Sequence, residues 1–145
     1  METHWTVGII AEKNGKVLLV TRLNEPNKGW WSVPGGHVEK GETFEEAAER
    51  EASEEVPGIK IDGRMKLVFE WDIEEGDSDD PRPHRHRCQM FHGTPEGKIS
   101  TGSDAGEKRW FTPEEALREK VTPPSRYIIE WFLGNGKRRA FRGSL

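Results

Sequence analysis

The chain contains a single cysteine, no apolar run long enough to cross a bilayer and no excess of positive charge. Each shortage excludes something. A lone Cys88 rules out an internal disulfide and a cysteine-based zinc site, agrees with a reducing compartment and reads as packing. Without a long apolar segment or a signal-peptide pattern, the expectation is a soluble cytoplasmic protein with no membrane partner. With 22 Lys and Arg against 26 Asp and Glu, the net charge is −4, so no general affinity for nucleic acid is implied. No internal repeat is visible. What is present is 145 residues, which fits one domain over 1–145 with a single core, and six Trp and six Phe supply the bulk of that core.

The stretch from Gly35 to Ile59, GGHVEKGETFEEAAEREASEEVPGI, organises the rest. Thr43-Phe44-Glu45-Glu46 has the form of a capping box, and Pro57-Gly58 supplies a stop, so the pattern predicts a helix from Phe44 to Glu55. At about 100° per residue, Ala47, Ala48 and Ala52 form an apolar stripe with Phe44. Glu51, Glu54 and Glu55 fall on that same side, whereas Glu45, Glu46, Glu49 and Ser53 lie opposite. Three converging carboxylates repel unless protons or cations intervene, and hard oxygen donors suit Mg²⁺ or Mn²⁺ better than Zn²⁺. Arg50, one turn before Glu54, is placed to hold that carboxylate. Gly35-Gly36 lets backbone pass close by and offer a carbonyl oxygen.

These residues resemble the Nudix box, G-x5-E-x7-R-E-U-x-E-E-x-G-U with U a bulky aliphatic residue. Gly36, Glu42, Arg50, Glu51, Glu54 and Glu55 occupy its fixed positions in order, and Trp31-Ser32-Val33-Pro34 resembles the approach to it. Ala52 is smaller than the usual aliphatic residue, and Val56-Pro57-Gly58-Ile59 carries one residue more than the motif allows; both departures lie outside the proposed ligands. The resemblance implies an α/β/α sandwich around a mixed sheet, with the box as a loop-helix-loop. It also implies hydrolysis of a nucleoside diphosphate linked to another moiety, by attack of water on phosphorus. Glu51, Glu54 and Glu55 are then the metal ligands, with a Gly35 or Gly36 carbonyl, and Glu42 orders the loop by pairing with Arg50. The base is Glu51, Glu54 or an acid from another loop. The expected partner is a small nucleotide, with nucleoside triphosphates preferred over ADP-ribose, dinucleoside polyphosphates or nucleotide sugars. Relatives are often homodimers, although no exposed apolar stripe argues for one here. The reading from another class is a non-catalytic nucleotide-binding or regulatory module; such modules usually lose box carboxylates, and all are present.

Along the chain, TVGIIA (6–11) and KVLLVTR (16–22) read as strands joined through an Asn-Gly turn, and a short strand follows at Trp30 to Val33. After the helix, strands are expected at 59–61, 65–73, 84–94, 98–100 and 108–111, with an acidic, turn-rich excursion at 74–83. Helices are expected at Pro113–Glu119, capped by Thr112, and at Ser125–Leu133. This order is α+β.

Further candidates carry a functional and a plain reading. Glu107, on a Gly-rich loop, resembles the extra acid that some relatives bring to the metals; otherwise it is a solvated glutamate, and Asp104 is a second such acid. Arg85 and Arg87 share one strand face and His84 and His86 the other, so either pair can meet phosphates, while the favoured alternative is an edge strand protected by charge. Trp30, Trp71 and Trp110 can stack on a base or fill the core. Lys137-Arg138-Arg139 reads as a basic tail, and His37 lies beside the metal-binding loop.

Overall fold

The computed structural model describes the chain apart from residues 78, 100, 101, 104, 105, 135–141 and 145 and the side chains of 102, 103 and 142–144. Asp104 and Lys137-Arg138-Arg139 therefore lie outside the described residues. Asn14 and Gly15 adopt left-handed backbone (φ 50° and 75°), as a two-residue hairpin turn requires, and join β1 (Glu2–Lys13) to β2 (Lys16–Thr21). Only Glu12–Val17 and Lys13–Lys16 face each other before the strands part. Beyond that point β2 pairs with β3 (Trp31–Ser32) and β8 (Gly106–Phe111), while β1 pairs with β4 (Gly35–His37) and runs parallel to β6 (His84–Pro95). β1 opens four residues earlier than the sequence pattern suggested because its first residues are held by that parallel ladder, starting at Glu2–His84.

The sheet is mixed and has the path β7 (Gly102–Ser103), β8, β2, β1, β6, β5 (Ile59–Ile73) and β9 (Arg142–Ser144), with β3 and β4 alongside. Alternation of side chains sorts the core into two layers. Ile9, Ala11, Leu18 and Val20 face Ala52 of α1 (Phe44–Glu55) and Val56 just beyond its end, and Val7 and Phe91 meet Ala47 and Ala48. Ile10, Leu19, Phe69 and Met90 face the other way, onto α2 (Pro113–Ala116) and α3 (Pro123–Leu133), whose Ile128 and Ile129 are buried. The result is the expected α/β/α sandwich of α+β class. No helix among the described residues is long and apolar enough to cross a membrane.

Several elements differ from the sequence reading. β5 is one strand, irregular between Ile61 and Gly63 and between Arg64 and Val68, where two were expected. β4 falls where Gly-Gly suggested only a loop. Lys98 and Ile99 are not in a strand; Ile99 instead packs under α1, and β7–β8 forms a small hairpin where a loop was expected. α2 is a single turn, although Thr112 Oγ1 accepts the Glu115 N–H as capping requires. β6 is an interior strand between β1 and β5, so charge does not protect an edge there. Arg85 and Arg87 lie directly opposite Asp72 and Glu70 and pair with them across the ladder.

Candidate active site

Local chemistry sets the position of α1. Thr43 Oγ1 accepts the Glu46 N–H at 3.1 Å, and Glu46 returns the bond by accepting the Thr43 N–H at 3.0 Å, which starts the helix at Phe44. Ala47, Ala48 and Ala52 press against the sheet and carry Glu51 inward with them, to 9% exposure. Small side chains bring the helix axis close enough for a carboxylate on that face to reach β4. Glu55, one turn on, accepts the Gly35 N–H at 2.7 Å, and Glu54 remains exposed beside them.

The guanidinium of Arg50 ties the loop to the helix. It donates to both oxygens of Glu42 (2.7 and 3.1 Å), to Glu51 Oε1 (2.9 Å), to the His37 carbonyl (2.9 Å) and, at 3.4 Å, to Glu54 Oε2. Bonding to Arg50 holds the Glu42 carboxyl below its usual range and raises the guanidinium in turn. Burial dominates at the other two acids. It pushes Glu51 up against the opposing pull of Arg50, and it pushes Glu55 to about 7, helped by the charges of Glu51 and Glu54 and opposed by the Gly35 N–H.

The backbone here leaves no room for side chains. A Cβ on Gly36 would sit 2.3 Å from Glu51 Oε1, and one on Gly35 would sit 2.1 Å from the Val7 carbonyl oxygen. A buried carboxylate at Glu51, a half-buried one at Glu55, a third beside them and close glycine backbone make a hard, anionic donor set. Such a set fits a divalent ion of the Mg²⁺ or Mn²⁺ kind, whose charge offsets the burial and the repulsion that raise Glu55.

A cavity of about 360 Å³ opens where β1 and β2 part. Gly35, Gly36, Glu55 and Glu107 line it, so the loop acid Glu107 is brought to the same cavity as the box. Glu51 and Glu54 adjoin Arg50 and do not line it. Trp30, Arg85 and Arg87, expected on the substrate, are outside the lining, and both arginines are committed to acids of β5. Trp71 and His86 do line the cavity, their rings 5.5 Å apart and edge-on.

Sequence reasoning missed two cations in this cavity, Arg22 and Lys108. Arg22 donates to the Pro26 carbonyl at 2.8 Å and is lowered by burial, against the charges of Asp77, Glu25 and Glu55. Lys108 is 8% exposed. The available signal was the basic residue just after β2 and the one opposite Val20 in β8, which come together only once β2 and β8 are known to pair. Asp77, from the acidic excursion, also reaches the cavity.

Comparison with known proteins bears on the family and the fold. The NUDIX domain matches residues 2–132. The chain is 37% identical over 102 residues to the ADP-ribose pyrophosphatase of Methanocaldococcus jannaschii, covering 70% of this chain and 57% of that protein's length. It is 38% identical over 127 residues to the Nudix hydrolase YvcI of Bacillus subtilis (86% and 75%), and 28% identical over 144 residues to the CTP pyrophosphohydrolase of Escherichia coli (88% and 89%). Among solved structures, the MutT protein of Bacillus halodurans superposes with a TM-score of 0.71 at 26% identity, over 97% of this chain and 88% of that one.

Proposed function

Because the chain belongs to the Nudix family, a family of hydrolases acting on acid anhydrides, we propose that it cleaves the pyrophosphate link of a nucleoside diphosphate derivative using a divalent ion held against α1. The observation that carries this reading is the approach of Glu51 and Glu55 to a glycine backbone too close to admit a side chain, with Arg50 bonded to Glu51. Glu51, Glu54 and Glu55 would hold the ion, with a Gly35 or Gly36 carbonyl. When bound, Mg²⁺ or Mn²⁺ supplies charge neutralisation for phosphate oxygens and a more acidic water.

The chain's own groups do the rest. Arg50 fixes the orientation of Glu51 and Glu54, and Glu42 fixes Arg50. Arg22 and Lys108 give the cavity positive charge for the phosphates. Water attacks phosphorus, one P–O bond forms and the anhydride P–O bond breaks. The water's proton passes to a carboxylate of α1 or to Glu107 on the cavity wall.

Nucleoside triphosphates are the preferred substrate class, supported by the two cations in a cavity of nucleotide size. ADP-ribose is the second reading, favoured by the similarity to the Methanocaldococcus protein. The test is turnover on both, with Mg²⁺ or Mn²⁺ and with chelator, for the wild type and Glu54→Gln. The expected result is activity on one class, lost with chelator and reduced about a hundredfold or more in the folded variant. Turnover unchanged by Glu54→Gln would sink the mechanism, and silence across the substrates would favour a binding module.

A further inference from the structure

Four of the chain's five histidines, His4, His37, His84 and His86, meet at one end of the sheet, on β1, β4 and β6. The parallel ladder places His4 beside His86, and the two-residue period of a strand puts His84 on the same face as His86. Ring centroids lie 4.5 Å apart for His4 and His84, 4.8 Å for His84 and His86, and 5.0 Å for His37 and His86. Hydrolysis at the carboxylates of α1 makes no use of this cluster.

At its centre three ligand atoms converge. His84 Nε2 is 3.0 Å from His86 Nε2 and 3.2 Å from Asp77 Oδ2, and the last two are 3.4 Å apart. His84 Nδ1 is 2.8 Å from the Arg82 carbonyl oxygen, which can only accept. In the neutral ring Nδ1 therefore carries the proton, and Nε2 turns a lone pair toward the other two atoms. Asp77 Oδ1 accepts the backbone N–H groups of Asp79 (3.0 Å) and Asp80 (2.9 Å), which leaves Oδ2 facing the imidazoles.

A proton joins two acceptors along one line, whereas this is a triangle. Ligands about 2.0–2.2 Å from a divalent ion, at tetrahedral or octahedral angles, stand about 2.9–3.5 Å apart, which matches all three edges. His84 and His86 are buried, at 0% and 9% exposure, and the bonds from Arg82, Asp79 and Asp80 are of the kind that orient ligands from outside. A further ring nitrogen, His37 Nε2, is buried with no hydrogen-bond partner among the described residues, and His37 belongs with His4 and His86 to a group whose ligand atoms lie within 4.8 Å of one another.

We propose that Asp77, His84 and His86 form a second metal site, for a transition ion of the Zn²⁺ class, separate from the carboxylates of α1. Two imidazoles and one carboxylate select such an ion over Mg²⁺. Asp77 and His86 also line the cavity, so the ion sits in its wall. This assignment does not depend on the hydrolase reading.

The test uses the full chain, stripped with chelator, supplied with excess Mg²⁺ and titrated with Zn²⁺. Calorimetry gives the stoichiometry, and ¹⁵N spectra of the imidazoles show which ring nitrogens bind. One equivalent is expected, with the Nε2 resonances of His84 and His86 shifting together. Asp77→Asn and His86→Gln should each weaken binding about tenfold or more, with far-UV circular dichroism verifying the fold. Absence of Zn²⁺ uptake by the wild type, uptake without a shift at His84 and His86, or uptake unchanged in both folded variants would overturn the site. Should a variant fail to fold, the wild-type spectra decide. Turnover of Glu54→Gln, measured in parallel, reports on the hydrolase reading alone, so failure of either idea is separable from failure of the other.

Discussion

Gly35 and Gly36 are neighbours, yet a methyl group on each meets a different kind of atom. At Gly36 it meets the end of the Glu51 side chain, which can swing away; at Gly35 it meets the backbone of β1, which cannot. Gly36→Ala should therefore leave the melting temperature nearly unchanged and lower kcat about tenfold or more, because Glu51 is displaced from Arg50. Gly35→Ala should cost about 1–3 kcal/mol of stability through the clash itself. Thermal melts and kinetics on the two variants separate these effects, and a large stability loss at Gly36 would contradict the assignment. Arg85 supplies a third case. It pairs with Asp72 on the exposed side of the sheet and lies outside the cavity. Arg85→Ala should keep KM within about twofold and leave Tm nearly unchanged, as expected of an exposed ion pair; a large rise in KM would restore it to the substrate.

At the level of elements, α1 was legible because its signals are local. The capping box spans four residues, the apolar stripe from Phe44 to Ala52 spans nine, and both lie in one stretch of chain. Thr43→Ala should lose the bond that the Thr43 hydroxyl accepts from the Glu46 N–H and destabilise the protein by about 1 kcal/mol, seen as a fall in Tm of about 2–4 °C. No change in Tm would show that packing of the alanines, rather than the cap, sets the helix start. The convergence of Glu51, Glu54 and Glu55 followed from helical geometry alone, which is why the candidate site could be placed before the fold. β4 was hidden because glycines carry no alternating pattern. The interior position of β6 was hidden because parallel pairing has no turn to announce it. Its charges were misread for the same reason: Glu70-Trp71-Asp72 matches Arg85-His86-Arg87 residue for residue, but only the register reveals the match. Arg22 and Lys108 were missed because their meeting depends on the pairing of β2 with β8 beside the cavity.

For the molecule as a whole, burying acids beside one another makes stability depend on pH and metal together. The folded-state pKa of Glu55, about 7, lies above that of the unfolded chain, near the usual carboxylate value. Its contribution is therefore fully present below about pH 4.5 and is lost as pH rises through about 7. Glu51 acts in the same direction. His86, pushed down to about 3 mainly by burial, acts in the opposite direction below its ordinary range, so a variant is needed to isolate the acid. In chelator, Glu55→Gln should gain on the wild type between pH 5 and pH 8.5 by several degrees of Tm, at about 2–4 °C per kcal/mol. Saturating Mg²⁺ should close that gap by stabilising the wild type alone, and a gap independent of pH would refute the linkage. The parallel ladder between β1 and β6 reaches further still. Glu2 aligns with His84 and Ala11 with Gly93, so β1 finds its longest partner some 82 residues further along the chain. At about 5–20 residues per second, the nascent β1 spends roughly 4 to 16 s with one flank unpaired while the intervening chain is translated. For that interval the amino-terminal strand is an open edge, and the cell's holding chaperones are the natural cover for it.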